Sequence, residues 1–405
     1  MKYALIGKKL GHSYSAAIHN ALNASYDLVE LTEEELPLFL ANPSYEGFNV
    51  TVPYKKSVIP YLHEISPIAT LAGSVNTIKV KDGLLYGYNT DVSGMEYMIA
   101  RCGLTLKNKV VMILGSGGTS GTACALAQKQ GAKKVYVVSR TGEVNYTNCP
   151  RKGVQILINA TPVGMYPNVD ESPIELTGFE SLEGVFDCVY NPRKTRLILA
   201  AENLGIVASS GLPMLVAQAV KAEEIWREEN FDDKVEELIS AIARDKVNVV
   251  LEGMPSSGKT TVGKLVADIL GREFYDVDEE IKRETGRTPS DIINKDGEAV
   301  FRDIESTVVR RLVKESGKVI ALGGGSVIRE ENVLAFRQNG VVFYLNRPLS
   351  LLTAEDRPIS QKEGIKALYE KRRSLYENAA DFTVESINAT SSAENIVAIL
   401  NGLKF

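Results

Sequence analysis

The chain has 405 residues, too many for one ordinary hydrophobic core and enough for two or three domains. Hydrophobic residues make up 44% and charged residues 24%, which excludes a disordered chain, and no apolar run is long enough to span a bilayer. Lys+Arg number 46 against Asp+Glu 51, a net charge of −5, so neither nucleic acid nor an anionic membrane is expected as a partner.

Positions 1–7, Met-Lys-Tyr-Ala-Leu-Ile-Gly, read as a strand entering a turn and not as a secretory leader. Within 1–100 the pattern predicts strands at Tyr3–Ile6, Gly47–Val52 and Thr77–Val80. The β-branched run Val110–Leu114 then leads into Gly115-Ser-Gly117-Gly118-Thr-Ser-Gly121 and a helix-like stretch, a variant of the dinucleotide fingerprint in which glycines let the backbone approach a pyrophosphate. The next strand, Val135–Val138, ends in Ser139-Arg140-Thr141. An NAD site would place an acid about there for the ribose 2′-hydroxyl; Arg140 suits a 2′-phosphate, which favours NADP(H). Gly142–Lys152 is polar and turn-rich with no helix–strand unit, so a trimmed dinucleotide domain is expected. The pattern turns helical through Met214–Trp226 and Lys234–Ala243, and Ala241–Lys246 reads as a short charged linker at a domain boundary.

Beyond the boundary, Asn248–Glu252 runs into Gly253-Met-Pro-Ser256-Ser257-Gly258-Lys259-Thr260-Thr261 and a helical run to Leu270, which is the phosphate-loop pattern. Its glycines turn backbone N–H groups toward nucleotide phosphates, Lys259 brings a charge to the β/γ oxygens and the Thr260 hydroxyl ligates Mg²⁺. Two loops of different type argue for two nucleotide sites on separate parallel sheets. Four cysteines (Cys102, Cys124, Cys149, Cys188) lack metal-ligand spacing, and three histidines (His12, His19, His63) are too few for a multi-histidine metal site. A reducing cytoplasm is the expected setting. His12 and His19 read as turn and helix residues and not as proton carriers.

Around the first loop stand Gly7-x-x-Leu10-x-His12-Ser13-x-Ser15, Asn49-Val-Thr51-Val-Pro-Tyr-Lys55, Ala72-Gly-Ser-Val-Asn76-Thr77, Gly87-Tyr-Asn-Thr-Asp91, Asp187-x-x-Tyr190-x-Pro192 and Gly211-x-x-Met214-Leu215-x-x-Gln218. In this order they resemble the shikimate dehydrogenases across about residues 1–240. The resemblance implies Lys55 and Asp91 as the catalytic pair, Ser13 and Ser15 on the substrate carboxylate, Thr51 and Asn76 on its hydroxyls, and Tyr190 and Gln218 completing the pocket. The residue types suit the chemistry, because reducing a ring ketone needs a hydride from the nicotinamide and a proton for the new alkoxide. Asp91 also reads as a helix N-cap before Val92–Ala100.

In the second half, Phe274-Tyr-Asp276-Val-Asp278, Gly297-Glu-x-x-Phe-Arg302-x-x-Glu305, Gly323-Gly324-Gly325 and Arg372-Arg-Ser-Leu-Tyr376 follow the phosphate loop. Together they resemble the shikimate kinases over nearly all of 247–405. The resemblance implies that Asp276 supports Mg²⁺ through water and that Asp278 orients or deprotonates the attacking hydroxyl. It also implies that Arg302 and Arg372 clamp the substrate carboxylate and that Gly324 and Gly325 contact the substrate. Arginine suits that duty because its planar fork pairs bidentately with a carboxylate. The segment Leu352–Ser360 keeps one arginine, Arg357, which is expected to neutralise charge on the transferring phosphoryl group.

The expected fold is α/β throughout. A substrate domain (1–100 with 210–245) and a Rossmann-like NADP-binding domain (101–209) form a dehydrogenase part, followed by a P-loop kinase domain with a parallel sheet at 246–405. The expected activities are NADPH-dependent reduction of 3-dehydroshikimate and MgATP-dependent phosphorylation of shikimate. The alternatives are a redox-inactive shikimate-binding module in place of the dehydrogenase, or a quinate preference there.

Overall fold

The computed structural model describes residues 2–11, 13–354 and 358–405. The chain divides into two compact units: Met1–Tyr190 with Thr195–Ile242, and Asn191–Lys194 with Ala243–Phe405.

The first unit holds two sheets. One is mixed, with strands β1 (Lys2–Gly7), β2 (Ser25–Glu30), β3 (Gly47–Val50), β4 (Glu64–Ile65), β5 (Thr77–Lys81) and β6 (Leu84–Tyr88) in the order β2-β1-β3-β5-β6-β4. Pairing is antiparallel at β3–β5 and β5–β6 and parallel elsewhere. The strand expected at Gly47–Val52 stops at Val50, where the backbone turns through residues 52–58. The second sheet is all parallel: β7 (Val110–Leu114), β8 (Lys134–Val138), β9 (Ile156–Asn159), β10 (Gly184–Asp187) and β11 (Val207–Ser209), in the order β11-β10-β9-β7-β8. Residues 139–155 carry neither helix nor strand, so β8 returns to β9 by irregular backbone.

Both sheets bury apolar side chains against helices. Phe48, Ile78 and Ile6 fill one core, and Ile113, Ile158 and Met98 another. Helices Thr90–Arg101 and Leu212–Arg227 lie together because position 94 is glycine; a Cβ there would collide with the Met214 carbonyl. The expected linker Ala241–Lys246 is instead helical, the end of a helix Val235–Lys246. It contains no Gly or Pro to stop it, and Arg244 and Lys246 in its last turn face the negative end of the helix dipole.

The second unit is built on one parallel sheet of β12 (Asn248–Glu252), β13 (Phe274–Asp276), β14 (Val319–Ala321), β15 (Gly340–Asn346) and β16 (Phe382–Glu385), ordered β13-β14-β12-β15-β16. All pairs are parallel, so the strands' C-terminal ends share one edge, where ligands bind in such sheets. Apolar clusters pack on each face, one around Val250, Ile320 and Phe336, the other around Leu251, Val262 and Phe343.

Candidate functional site

In the first unit, the segments after β3 and β6 and before β5 bring three polar side chains together, and a helix adds a fourth. Lys55 lies in the turn after β3, and its Nζ donates to Asp91 Oδ2 at 2.5 Å. Both are largely shielded, at 17% and 10% side-chain exposure, so the pair is screened less than a surface ion pair. Asp91 sits in the first turn of the Thr90–Arg101 helix, where an acid is favoured by the dipole. The cap of that helix is Asn89, whose side chain accepts from Val92 N, which corrects the expectation that Asp91 caps it. Asn76 Nδ2 donates to Asp91 Oδ1 at 2.9 Å and to Gln218 Oε1 at 3.3 Å, which joins the Leu212–Arg227 helix to the cluster.

Ser13 ends the loop after β1 and Ser15 opens the helix Ser15–Ala21, with Tyr14 between them, and Ser15 N donates to Ser13 Oγ at 3.2 Å. The Tyr14 ring lies 5.0 Å from that of Tyr190, which brings Tyr190 to the same loop. Burial, with Tyr14 beside it, pushes the Tyr190 hydroxyl up to about 12, so it stays a neutral donor. Thr51 follows β3, its N–H bonded to Ile6 O at 3.0 Å. Among the described residues, the side chains of Ser13, Ser15 and Thr51 are not hydrogen-bonded to the Lys55 cluster. His12 lies outside the described residues. His19 is fully buried, with its Nδ1 2.5 Å from Glu223 Oε1.

The glycine loop after β7 lies next to this site. Gly115 has φ +109° and donates its N–H to Val138 O; Gly117 precedes the helix Gly118–Gln130 with no side chain capping the helix N-terminus. The uncapped first N–H groups of that helix suit a pyrophosphate. A Cβ added at Gly118 would stand 3.9 Å from Lys55 Cδ, so the loop and the lysine are neighbours. Ser139, Arg140 and Thr141 follow β8, with Arg140 and Thr141 exposed and Ser139 N bonded to Val144 O at 3.2 Å.

In the second unit, the phosphate loop turns between β12 and the helix Lys259–Leu270. Gly253 and Gly258 both hold positive φ, at +141° and +92°. Lys259 Nζ folds back onto its own loop, 3.0 Å from Gly253 O and 2.9 Å from Met254 O. Ser257 Oγ is buried with no hydrogen-bond partner, an orphan that a phosphate oxygen would satisfy. Ser256 is held at φ +65°, and its hydroxyl donates to Thr353 O. Thr260 Oγ1 donates to Asp276 Oδ2 at 2.6 Å, while Thr261 is exposed on the helix. Asp276 is at once the N-cap of the Val277–Thr285 helix and the partner of Thr260.

Asp278, Arg302 and Arg372 converge on the Gly323–Gly325 turn after β14. A Cβ at Gly323 would stand 3.3 Å from Asp278 Oδ1, and one at Gly325 would collide with the Arg302 guanidinium. Arg372 Nη1 donates to Gly324 O at 3.0 Å, and the Tyr376 hydroxyl donates to the same carbonyl. Arg302 is 7% exposed and held by Glu305 at 2.6 Å and Glu298 at 3.0 Å. Burial acts against its charge, but the two carboxylates outweigh burial and raise its pKa. Glu298 is 47% exposed at its side chain and can yield to a ligand carboxylate; buried Glu305 cannot. Arg357 lies outside the described residues. Sequence reasoning gave Glu305 no role, although its spacing three residues after Arg302 on a helix pointed to the pair. It also overlooked Thr90, which donates its N–H to Asn76 Oδ1 at 2.7 Å. Among the described residues no group of three or more His, Cys, Asp or Glu could hold a metal ion, and no helix is long and apolar enough to cross a membrane.

Comparison with known proteins divides the chain likewise. The family model of the shikimate dehydrogenase substrate binding domain matches residues 5–78, and that of shikimate kinase matches residues 255–401. The chain is 38% identical over 254 residues to a shikimate dehydrogenase (NADP(+)) of Clostridium beijerinckii, covering 58% of this chain and 94% of the relative. Among solved structures it is similar to a chorismate mutase/shikimate 5-dehydrogenase fusion protein from Clostridium acetobutylicum, at 36% identity and TM-score 0.56 over 59% of this chain and 96% of the other. It is also similar to a shikimate 5-dehydrogenase from Thermus thermophilus solved with NADP(H) and shikimate, at 28% identity and TM-score 0.54 over 60% of this chain and 99% of the other.

Proposed function

The chain belongs to the shikimate dehydrogenase family through its N-terminal part and carries a shikimate kinase domain in its C-terminal part, and from this premise we propose that it performs two consecutive reactions of the shikimate pathway. The first unit reduces 3-dehydroshikimate to shikimate with NADPH, and the second phosphorylates shikimate at its 3-hydroxyl with MgATP. One observation supports both: each glycine loop adjoins its own acid-handling cluster, Lys55 with Asp91 in one unit and Asp278, Arg302 and Arg372 in the other.

In the dehydrogenase site, Lys55 is positioned to polarise the ketone and give a proton to the new alkoxide from Nζ, while Asp91 keeps the ammonium aimed and Asn76 holds Asp91. Ser13, Ser15, Thr51, Tyr190 and Gln218 supply the hydroxyl and amide groups suited to the carboxylate and ring hydroxyls. Gly115, Gly117 and Gly118 would hold the NADP(H) pyrophosphate, and Arg140, with Ser139 and Thr141, its 2′-phosphate; the nicotinamide when bound supplies the hydride.

In the kinase site, Arg302 and Arg372 grip the substrate carboxylate beside Gly324 and Gly325, and Asp278 orients the attacking hydroxyl and takes its proton. Gly253, Ser256, Ser257, Gly258, Lys259, Thr260 and Thr261 would surround the ATP phosphates, with Mg²⁺ held by Thr260 and, through water, Asp276. The four free cysteines fit a reducing cytoplasm.

The test is a paired assay on the purified chain: NADPH oxidation with 3-dehydroshikimate, and ADP release with shikimate. Both should proceed. Shikimate binding to the first unit without NADPH oxidation would select a redox-inactive module, and faster turnover with the quinate pair would reassign its substrate.

A further inference from the structure

Behind the Lys55–Asp91 pair, a buried hydrogen-bonded line crosses the mixed sheet. Tyr26 Oη on β2 donates to Asn49 Oδ1 at 2.6 Å. Asn49 Nδ2 donates to Asn76 O at 3.2 Å and to Thr77 Oγ1 at 3.0 Å. Thr77 Oγ1 meets Thr90 Oγ1 at 2.9 Å, and Thr90 N fixes Asn76 Oδ1. Asn76 Nδ2 in turn holds Asp91 Oδ1. Tyr26 is 7% exposed, Asn49 5%, Asn76 3%, Thr77 0% and Thr90 1%, so water competes for none of these bonds.

The line has one allowed polarity at its far end. The Asn76 carbonyl can only accept, so the Asn49 amide must present Nδ2 to it, and Oδ1 then faces Tyr26, which must donate. A flipped Asn49 would set oxygen against oxygen. The Tyr26 hydroxyl is fit for this duty: burial and the nearby Glu223 raise its pKa well above the ordinary value, so it keeps its proton. Its ring is also clamped. His19 stacks on it with centroids 3.9 Å apart and planes at 6°. His19 Nδ1 is paired with Glu223 Oε1 at 2.5 Å, both side chains fully buried. The other Glu223 oxygen has no hydrogen bond, only Arg227 Nη1 at 3.5 Å. Buried ionisable pairs of this kind contribute little to stability, and orienting what they touch is a use that would justify one.

We propose that Tyr26 is a positioning residue of the dehydrogenase reaction, its hydroxyl fixing the Asn49 amide and, through Thr77, Thr90 and Asn76, the aim of Asp91 and Lys55. The inference rests on Lys55 and Asp91 being the reacting pair. Tyr26 touches neither of them, so it acts on the rate through order alone.

The test is a double-mutant cycle on the full chain with Tyr26→Phe, Asn49→Ala and the pair, reading kcat and KM for 3-dehydroshikimate and the kinase rate. Tyr26→Phe keeps the ring and its stacking. It should lower kcat about tenfold and change KM less than about threefold, with the kinase rate unchanged. If Tyr26 acts through Asn49, the double variant should be no slower than Asn49→Ala alone. Asn49→Ser completes the cycle should Asn49→Ala fail to fold. An unchanged kcat in Tyr26→Phe, or losses that multiply in the double variant, would overturn the inference while wild-type turnover upholds the reading beneath it. A wild-type chain with no dehydrogenase turnover would overturn both.

Discussion

Glu252 and Glu305 are both fully buried in the kinase half, but only one is satisfied. Glu305 accepts from Arg302 Nη1 and from Ser326 Oγ at 2.8 Å. Neither oxygen of Glu252 has a hydrogen-bond partner. Burial pushes the Glu252 carboxyl up to about 9 from 4.5, with the Lys259 charge acting the other way. An acid raised in the folded state is protonated there while the unfolded chain ionises it. Its contribution is therefore fully present below 4.5 and is lost as pH rises toward about 9. Glu252→Gln keeps the neutral shape and removes that linkage. We expect its melting temperature to fall less than that of the wild type between roughly pH 5 and pH 9. Parallel curves would show that Glu252 is not the group responsible. Neither role was legible in the residues alone, since the strand β15 that pairs with Glu252 is distant in sequence, and Glu305 acquires meaning only from Arg302.

At the level of elements, strand–loop–helix units were the most legible feature, because glycine punctuation and β-branched runs are local signals. Boundaries were less so. The Val235–Lys246 helix runs on where charge suggested a linker, and β3 ends two residues early where a turn carries Lys55 toward Asp91. Arg140 lies in the irregular stretch of residues 139–155, exposed two residues past the end of the edge strand β8. An exposed guanidinium at that strand end can meet a 2′-phosphate but gains nothing from a 2′-hydroxyl. Arg140→Ala should thus raise KM for NADPH by about tenfold or more and leave KM for NADH nearly unchanged. Equal losses with both cofactors would assign Arg140 to the pyrophosphate or to the fold.

Across the whole molecule, the two nucleotide loops and the blocks around them carried the reading, since each is a short stretch whose spacing suits one chemistry. What they could not carry is the support behind each site, such as Asn76 tying Asp91 to Gln218, or Gly325 making room for Arg302, because these contacts join residues far apart in the chain. The central claim is that two chemically independent sites stand on one polypeptide. Lys55→Ala and Lys259→Ala, each assayed for both reactions, address it most directly. Lys55→Ala should lose dehydrogenase activity by at least about a hundredfold with the kinase rate intact, and Lys259→Ala should do the converse. Either substitution silencing both reactions in a chain that still melts like the wild type would contradict it.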